Sequence, residues 1–254
     1  QERSSLLRAL FLYAALLATW FPIVQNVLAL LARGWLLLFG LPLRHAIVGA
    51  SQSWIDNLIA MLMNGLIAGY IFIVTRRNWD PSPTGQAFAT LRRIYRYTWM
   101  LYGLAMLVGG LNQILQYLLS SGDIIGSSPE IQLANGLGLL LVGLPVWLIS
   151  WIFVQRALEN PAEQNSLLRQ IILYVLKLIG MGGVLIASGV ILHNIVAPLL
   201  GPGFVFRVFL DDTRIAFSSL LSLAGLWVYF GIILKRDLTV LTETQARTGL
   251  RRIY

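Results

Sequence analysis

The sequence contains no cysteine and only two histidines, His45 and His193, among its 254 residues. The absence of cysteine excludes disulfides, thiolate metal sites and cysteine nucleophiles. Neither histidine has a metal-ligating residue four positions further on, so no metal site and no cofactor are expected. Charged residues are also scarce, because they make up 12% of the chain, whereas soluble proteins contain about 25%. The hydrophobic fraction of 57% therefore excludes a water-soluble fold and indicates a membrane protein.

The apolar residues form six stretches, each near the length of about 20 residues that a helix needs to cross a bilayer. Between them lie Gly-, Pro- and Asn-rich segments that end helices, such as Asp80–Gly85 and Gly201–Gly203. Trp35–Phe39 is too short to span, and we expect it to extend the first helix or to lie at the interface. The fold predicted is an all-α polytopic integral membrane protein with these spans: Leu6–Leu31, Trp54–Thr75, Ile94–Leu119, Leu133–Val154, Leu167–Leu192 and Ile215–Leu234.

Arginine and lysine lie mostly on one side of the predicted spans. The N-terminus, the connections after the second and fourth spans and the C-terminal tail hold 15 of the 19 basic residues. Because cationic segments stay in the cytoplasm, both termini are predicted to be cytoplasmic, in a bacterial cytoplasmic membrane. The same bias accounts for the net charge of +8, so no nucleic-acid partner is expected. The other side holds Arg33, Arg44, Arg207 and Arg214.

The three pairs of spans follow a common pattern. A Leu-Arg pair opens each odd-numbered span, with a tyrosine 5 residues after the arginine, and an arginine closes each even-numbered span. Agreement in start, end and spacing predicts three tandem helical hairpins, residues 1–80, 81–160 and 161–240. The matching positions are Arg8, Arg92 and Arg169 at the openings, Arg76, Arg156 and Arg236 at the closings, and Gly65, Pro145, Gly225 and Ile67, Trp147, Trp227 inside the even-numbered spans.

Residues 241–254 are predicted to be a linker and the start of a fourth hairpin. Leu250–Tyr254 repeats Leu91–Tyr95 letter for letter, and Ser5–Arg8 likewise repeats Ser166–Arg169. We therefore expect the sequence to be a window on a longer tandem array. The alternative is that the tail is a short amphipathic helix on the inner membrane surface.

Five arginines are candidate contacts to anionic lipid headgroups on the cytoplasmic side. Three of them alternate with tyrosine and tryptophan, as in an interfacial belt, where guanidinium groups reach lipid phosphates. Membrane anchoring alone also explains this pattern. The five are Arg92, Arg93, Arg96, Arg251 and Arg252.

Four further polar residues lie inside predicted spans. Asn26, Asn112 and Asn194 lie toward the outer ends of odd-numbered spans, where carboxamides hydrogen-bond between helices or line a polar cavity. Lys177 lies about 12 Å along its helix from Arg169. An ionisable group inside a span is a functional hypothesis, although the long lysine stem also reaches the inner interface.

No catalytic constellation is found in the sequence. Ser218, Ser219 and Ser222 lack an accompanying histidine and acid, so no hydrolase triad is formed. We predict that the protein is not an enzyme but a structural or accessory membrane component, the membrane part or a subunit of a larger assembly with other membrane subunits. The alternatives are a transporter or channel with a polar cavity between the repeats, and a membrane-anchoring subunit of a redox complex with histidine ligands.

Two segments, Leu91–Tyr97 and Gly138–Leu148, resemble an uncharacterised bacterial family of multi-pass membrane domains, a domain of unknown function built from helical hairpins. The central hairpin, Leu91–Arg156, carries the resemblance best. Members of that family commonly have a His-Trp pair after the Leu-Pro-x-Trp segment, where this chain has Ser150 and Trp151. The resemblance implies a tandem membrane architecture and no particular activity.

Overall fold

A computed structural model describes residues 6–77, 86–120, 129–159, 166–199 and 206–240. Within these ranges the secondary structure is helical and contains no strand. The predicted linker 241–254, with Arg251 and Arg252, and the turn segments 80–85, 160–161 and 201–203 lie outside the described residues.

Six long helices occupy the described ranges, and all six are long and apolar enough to cross a membrane. This confirms the predicted all-helical fold with six spans. The helices are longer than the predicted spans because hydropathy marks only the lipid core, whereas helical hydrogen bonding continues into the interface. Trp35 accordingly extends the first helix. The helices are α1 Leu6–Leu38, α2 Trp54–Arg77, α3 Gln86–Leu118, α4 Pro129–Ala157, α5 Leu167–Leu199 and α6 Phe206–Val240.

Helix α1 ends in a Schellman motif centred on Gly40. This glycine has a φ of 67°, a left-handed conformation that favours a residue without Cβ. The Gly40 amide donates to Leu37 O at 3.0 Å, and the Leu41 amide donates to Leu36 O at 2.8 Å, the two bonds that define the motif. Pro42 follows, and the chain turns away from the helix axis.

The connection to α2 is held at both of its ends. Asn135 of α4 donates to His45 O at 2.9 Å and accepts from the Ile47 amide at 3.0 Å. Further along, Ser53 and Asp56 form a capping box, in which each side chain accepts from the other residue's amide at 3.0 Å. The capping box satisfies two backbone amides and fixes the start of α2.

The chain divides into two compact units. Unit 1 comprises residues 1–110 and 130–154, in which α1 packs on α2. Unit 2 comprises residues 111–129 and 155–254, in which α5 packs on α6. The core of unit 1 contains two apolar clusters: Ala9, Leu12, Tyr13 and Leu16 form one, and Leu28, Met106, Leu139 and Val142 form the other.

Glycine allows two pairs of helices to approach backbone to backbone. In unit 1, a Cβ on Gly103 of α3 would lie 2.5 Å from the Trp147 backbone nitrogen of α4. In unit 2, a Cβ on Gly180 of α5 would lie 2.8 Å from the Trp227 backbone nitrogen of α6. Both glycines stand 11 residues after the arginine that opens their predicted hairpin, and the two tryptophans are 80 residues apart.

A second pair of contacts joins matching positions of the same two hairpins. In one hairpin the glycine lies on the second helix, whereas in the other it lies on the first helix. A Cβ on Gly143 of α4 would lie 2.6 Å from the Met106 Cβ of α3, whereas a Cβ on Gly183 of α5 would lie 2.2 Å from the Leu223 Cδ1 of α6. Met106 and Gly183 both stand 14 residues after an opening arginine, and Gly143 and Leu223 are 80 residues apart. These contacts relate the second and third predicted hairpins to each other, and the three-hairpin repeat stays a prediction.

Candidate functional site

Arg33 of α1 is a buried cation. Its guanidinium lies over the Trp54 ring, with Cζ 5.0 Å from the ring centroid. Only 4% of the residue is exposed, and its Nε and Nη1 atoms are buried without a hydrogen-bond partner among the described residues. A cation–π contact contributes about 0.5 to 2 kcal/mol and does not replace those hydrogen bonds. Two donor atoms of Arg33 are therefore buried with their hydrogen-bonding capacity unsatisfied among the described residues.

Asn57 lies one turn after Trp54, so the two side chains share a face of α2, with about 5 to 6 Å between their Cβ atoms. Asn57 is fully buried, and neither its Nδ2 nor its Oδ1 has a hydrogen-bond partner in the described ranges. A buried polar group left unpaired costs about 1 to 3 kcal/mol. We call Arg33, Trp54 and Asn57 together the Arg33 site.

Sequence reasoning missed this site. Arg33 was counted only among the basic residues of the outer side, and Asn57 was not singled out. The available signal is that Arg33 lies inside a helix once Trp35 is taken to extend α1. The burial itself depends on the returning start of α2, which no local pattern of the sequence reveals.

A second buried polar group joins the start of α5 to the end of α6. Arg169 Nε donates to Asp237 Oδ2 at 2.6 Å, and the two side chains are 2% and 16% exposed. Ser166 and Gln170, which lie beside Arg169 along the chain, are also buried. Because the two charges pair with each other, this ion pair connects the two helices of the hairpin.

Each predicted asparagine hydrogen-bonds to a neighbour on its own helix or on a helix of the same unit. Asn112 both donates and accepts, whereas Asn26 donates to a carbonyl of its own helix. These bonds are of the kind that joins and shapes membrane helices. They are Asn26 Nδ2 to Pro22 O at 2.7 Å, Asn112 Nδ2 to Ser219 Oγ at 3.5 Å, Gln116 Nε2 to Asn112 Oδ1 at 3.2 Å, and Asn194 Nδ2 to Asp212 O at 3.3 Å.

Lys177 is partly buried and occupies a position that is apolar in the other hairpins. It stands 8 residues after an opening arginine, as do the buried Leu16 and Met100. A Cβ on Gly231 of α6 would lie 3.9 Å from Lys177 Cε, so the glycine leaves room for the lysine stem. Lys177 and Asn194 are 17 residues apart on α5, about 25 Å along the axis, and the structure does not bring them together.

The candidate lipid contacts Arg92, Arg93 and Arg96 are all partly buried near the start of α3. The aromatic residues that alternate with them pack as a ladder between α1 and α3, extending about 10 Å along α3. The ladder is formed by ring pairs Tyr13–Tyr95 (5.6 Å between centroids), Tyr95–Trp99 (6.3 Å), Trp99–Tyr102 (5.6 Å) and Phe21–Tyr102 (4.8 Å).

The six apolar helices place the chain in the class of multi-pass membrane proteins. A family model described as a domain of unknown function, DUF5671, matches residues 93–227. The chain therefore belongs to the DUF5671 family, and the predicted membership of an uncharacterised domain family is confirmed. Among curated proteins and among solved structures, no match to the chain is found.

Proposed function

We propose that the protein is a non-enzymatic accessory subunit of a membrane assembly, and that α2 is the helix on which a transmembrane helix of another subunit packs. The share of buried residues is lowest in this helix, at 11% of its span against 33% in α4. Helix association in lipid depends on close packing, because lipid tails are as apolar as the side chains themselves. A docking helix therefore needs a surface that lets another backbone come close.

Gly65 and Gly69 supply that surface, and this is the observation that carries the proposal. They are four residues apart in the Gly-x-x-x-Gly spacing that brings membrane helices together. Both are exposed, and a Cβ at either would meet no atom within 4 Å. Gly103 and Gly180, by contrast, already pack against a neighbouring helix.

Native mass spectrometry of the protein extracted from its own membranes in mild detergent tests this role. We expect a complex with a second, different polypeptide, because the Gly65 and Gly69 face is open to it. Replacing both glycines with leucine should reduce the complex at least tenfold, which corresponds to about 1.4 kcal/mol. Leu66→Phe is the matched control, since it adds bulk at an exposed position of the same helix and should leave the complex intact.

Two results would contradict the subunit role. A wild-type protein that is extracted as a monomer has no partner of this kind. A complex with the mass of two identical chains would make α2 a self-association surface and would replace the accessory role with a homodimer.

The orientation proposed for the subunit has both termini in the cytoplasm of a bacterial cell, with Arg92, Arg93 and Arg96 near anionic headgroups. Because the chain lacks cysteine, single cysteines report orientation without background. Cysteines at Ser82 and Ala162 should be labelled by an impermeant maleimide only from the inner side.

Cysteines at Ser121 and Gly203 should be labelled only from the outer side. The reverse pattern at any one of the four positions is incompatible with this topology.

The described contacts do not favour a transporter or channel. A transport cavity lined by the predicted polar residues requires Lys177 and Asn194 to converge, and about 25 Å of helix separates them. The asparagine side chains also donate hydrogen bonds to neighbouring protein groups. The accessory role is therefore the one we propose.

A further inference from the structure

We propose that the Arg33 site binds an oxyanion of the phosphate class, supplied either by a phospholipid headgroup or by a soluble phosphate. This inference does not depend on the accessory role of α2. It rests on a cation and an amide that are both more than nine-tenths buried. Nε and Nη1 of Arg33 and both side-chain polar atoms of Asn57 lack hydrogen-bond partners among the described residues. An isolated buried charge is so unfavourable that a partner is expected to accompany it.

The chemistry of the site selects an anion that accepts hydrogen bonds. Nε and Nη1 of Arg33 and Nδ2 of Asn57 are all donors, and guanidinium is the side chain best suited to phosphate oxygens. The Trp54 ring covers one face of the guanidinium, so a ligand approaches along its edge. The amino-terminal end of α2 adds positive potential at the same place.

No carboxylate of the described residues serves as the partner. Asp56, the acid of this turn, is exposed and accepts from the Ser53 amide at 3.0 Å. Arg33 has no ion pair among the described residues. The site thus keeps its positive charge while being largely shielded from water.

The depth of the site agrees with a phosphate ligand. Helix α1 has 33 residues, a length of about 50 Å, which exceeds the apolar core of about 30 Å. Its ends therefore reach into the headgroup layers. Arg33 lies 5 residues before the helix end at Leu38, about 7 Å below it. With the helix centred in the bilayer, this places Arg33 just outside the apolar core, within reach of lipid headgroups.

The test measures the thermal unfolding midpoint of the delipidated full chain in an uncharged detergent. Inorganic phosphate, phosphatidylglycerol and diacylglycerol, which lacks the phosphate, are added separately at constant ionic strength. We expect the midpoint of the wild type to rise by several degrees. A rise with inorganic phosphate identifies a soluble anion as ligand, and a rise with phosphatidylglycerol alone identifies a lipid.

The variant Arg33→Met separates binding from folding. It should raise the midpoint without ligand, because it removes an unpaired buried charge. At least tenfold more ligand should then be needed for the same rise in midpoint. Asn57→Leu should likewise fold without loss of stability, and its midpoint should rise less with the ligand. Arg44→Met is the matched control, since Arg44 is an exposed arginine of the following connection and should keep the full response.

Three results would overturn the proposal. In the first, the midpoint of the wild type responds to neither phosphate nor phosphatidylglycerol, or diacylglycerol raises it as strongly as phosphatidylglycerol does. In the second, Arg44→Met loses the response to the ligand as fully as Arg33→Met does. In the third, Asp123→Asn, at a position outside the described residues, lowers the midpoint without ligand and enlarges the response to phosphate, which would make a carboxylate of the chain itself the partner of Arg33.

Discussion

Gly103→Ala is expected to destabilise the protein by about 3 kcal/mol, the upper part of the usual range for overpacking. The added methyl group would lie 2.5 Å from the Trp147 backbone nitrogen and 2.8 Å from its Cα. A backbone cannot yield as a flexible side chain does, so α3 and α4 must move apart along their whole contact. Denaturant unfolding in mixed micelles, followed by circular dichroism, measures the change in free energy of unfolding.

The control for this substitution is Gly109→Ala on the same helix. A Cβ at Gly109 would meet only Leu139 Cδ1 at 3.9 Å, an ordinary contact. Alanine is the better helix former by about 1 kcal/mol, so this variant should be neutral or slightly stabilised. Equal effects at the two positions would show that backbone proximity does not limit the α3–α4 packing.

Asp237→Ala should be comparably damaging to the hairpin of α5 and α6. Breaking one partner of a buried ion pair costs about 3 to 5 kcal/mol, because the remaining charge stays buried. Arg169 is 2% exposed and would lose the carboxylate 2.6 Å from its Nε. The free energy of unfolding from the same denaturant titration should fall by about 3 kcal/mol.

Two further variants define the origin of that loss. Glu159→Ala removes an exposed acid and should change the free energy of unfolding by less than about 0.5 kcal/mol. The double replacement Arg169→Met with Asp237→Leu should recover most of the stability, since no charge is left unpaired. If the double variant is as unstable as Asp237→Ala alone, the ion pair is not the source of the effect.

Hydropathy predicted the number and order of the helices because each span must hold a long apolar run. Its boundaries differed from those of α3 at both ends, because the helix starts at Gln86 and ends at Leu118 instead of covering Ile94–Leu119. The larger of these two differences is the eight residues added before Ile94, which include Arg92 and Arg93, two arginines that lower the hydropathy without interrupting the helix. The extension of α1 through Trp35 was one of two open expectations.

The candidate site was much less predictable than the helices. The sequence indicated that the polar residue Asn26 lies inside a span. It did not indicate that the Asn26 side-chain amide donates to the Pro22 carbonyl of the same helix. The burial of Arg33 depends on a cap at Gly40, a connection held by Asn135 and the return of Trp54. These contacts join distant parts of the chain, and a one-dimensional pattern does not contain them.

The exchange of large and small residues between the two glycine contacts makes each hairpin selective for its own second helix. Met106 faces Gly143, whereas Gly183 faces Leu223. If α4 and α6 traded places in that register, two glycines would meet across a void and two large side chains would collide, and both mismatches are destabilising. When the helices enter the bilayer one after another, this pairing of large with small residues favours association of each helix with its sequential neighbour. It disfavours an exchange of second helices between the two hairpins.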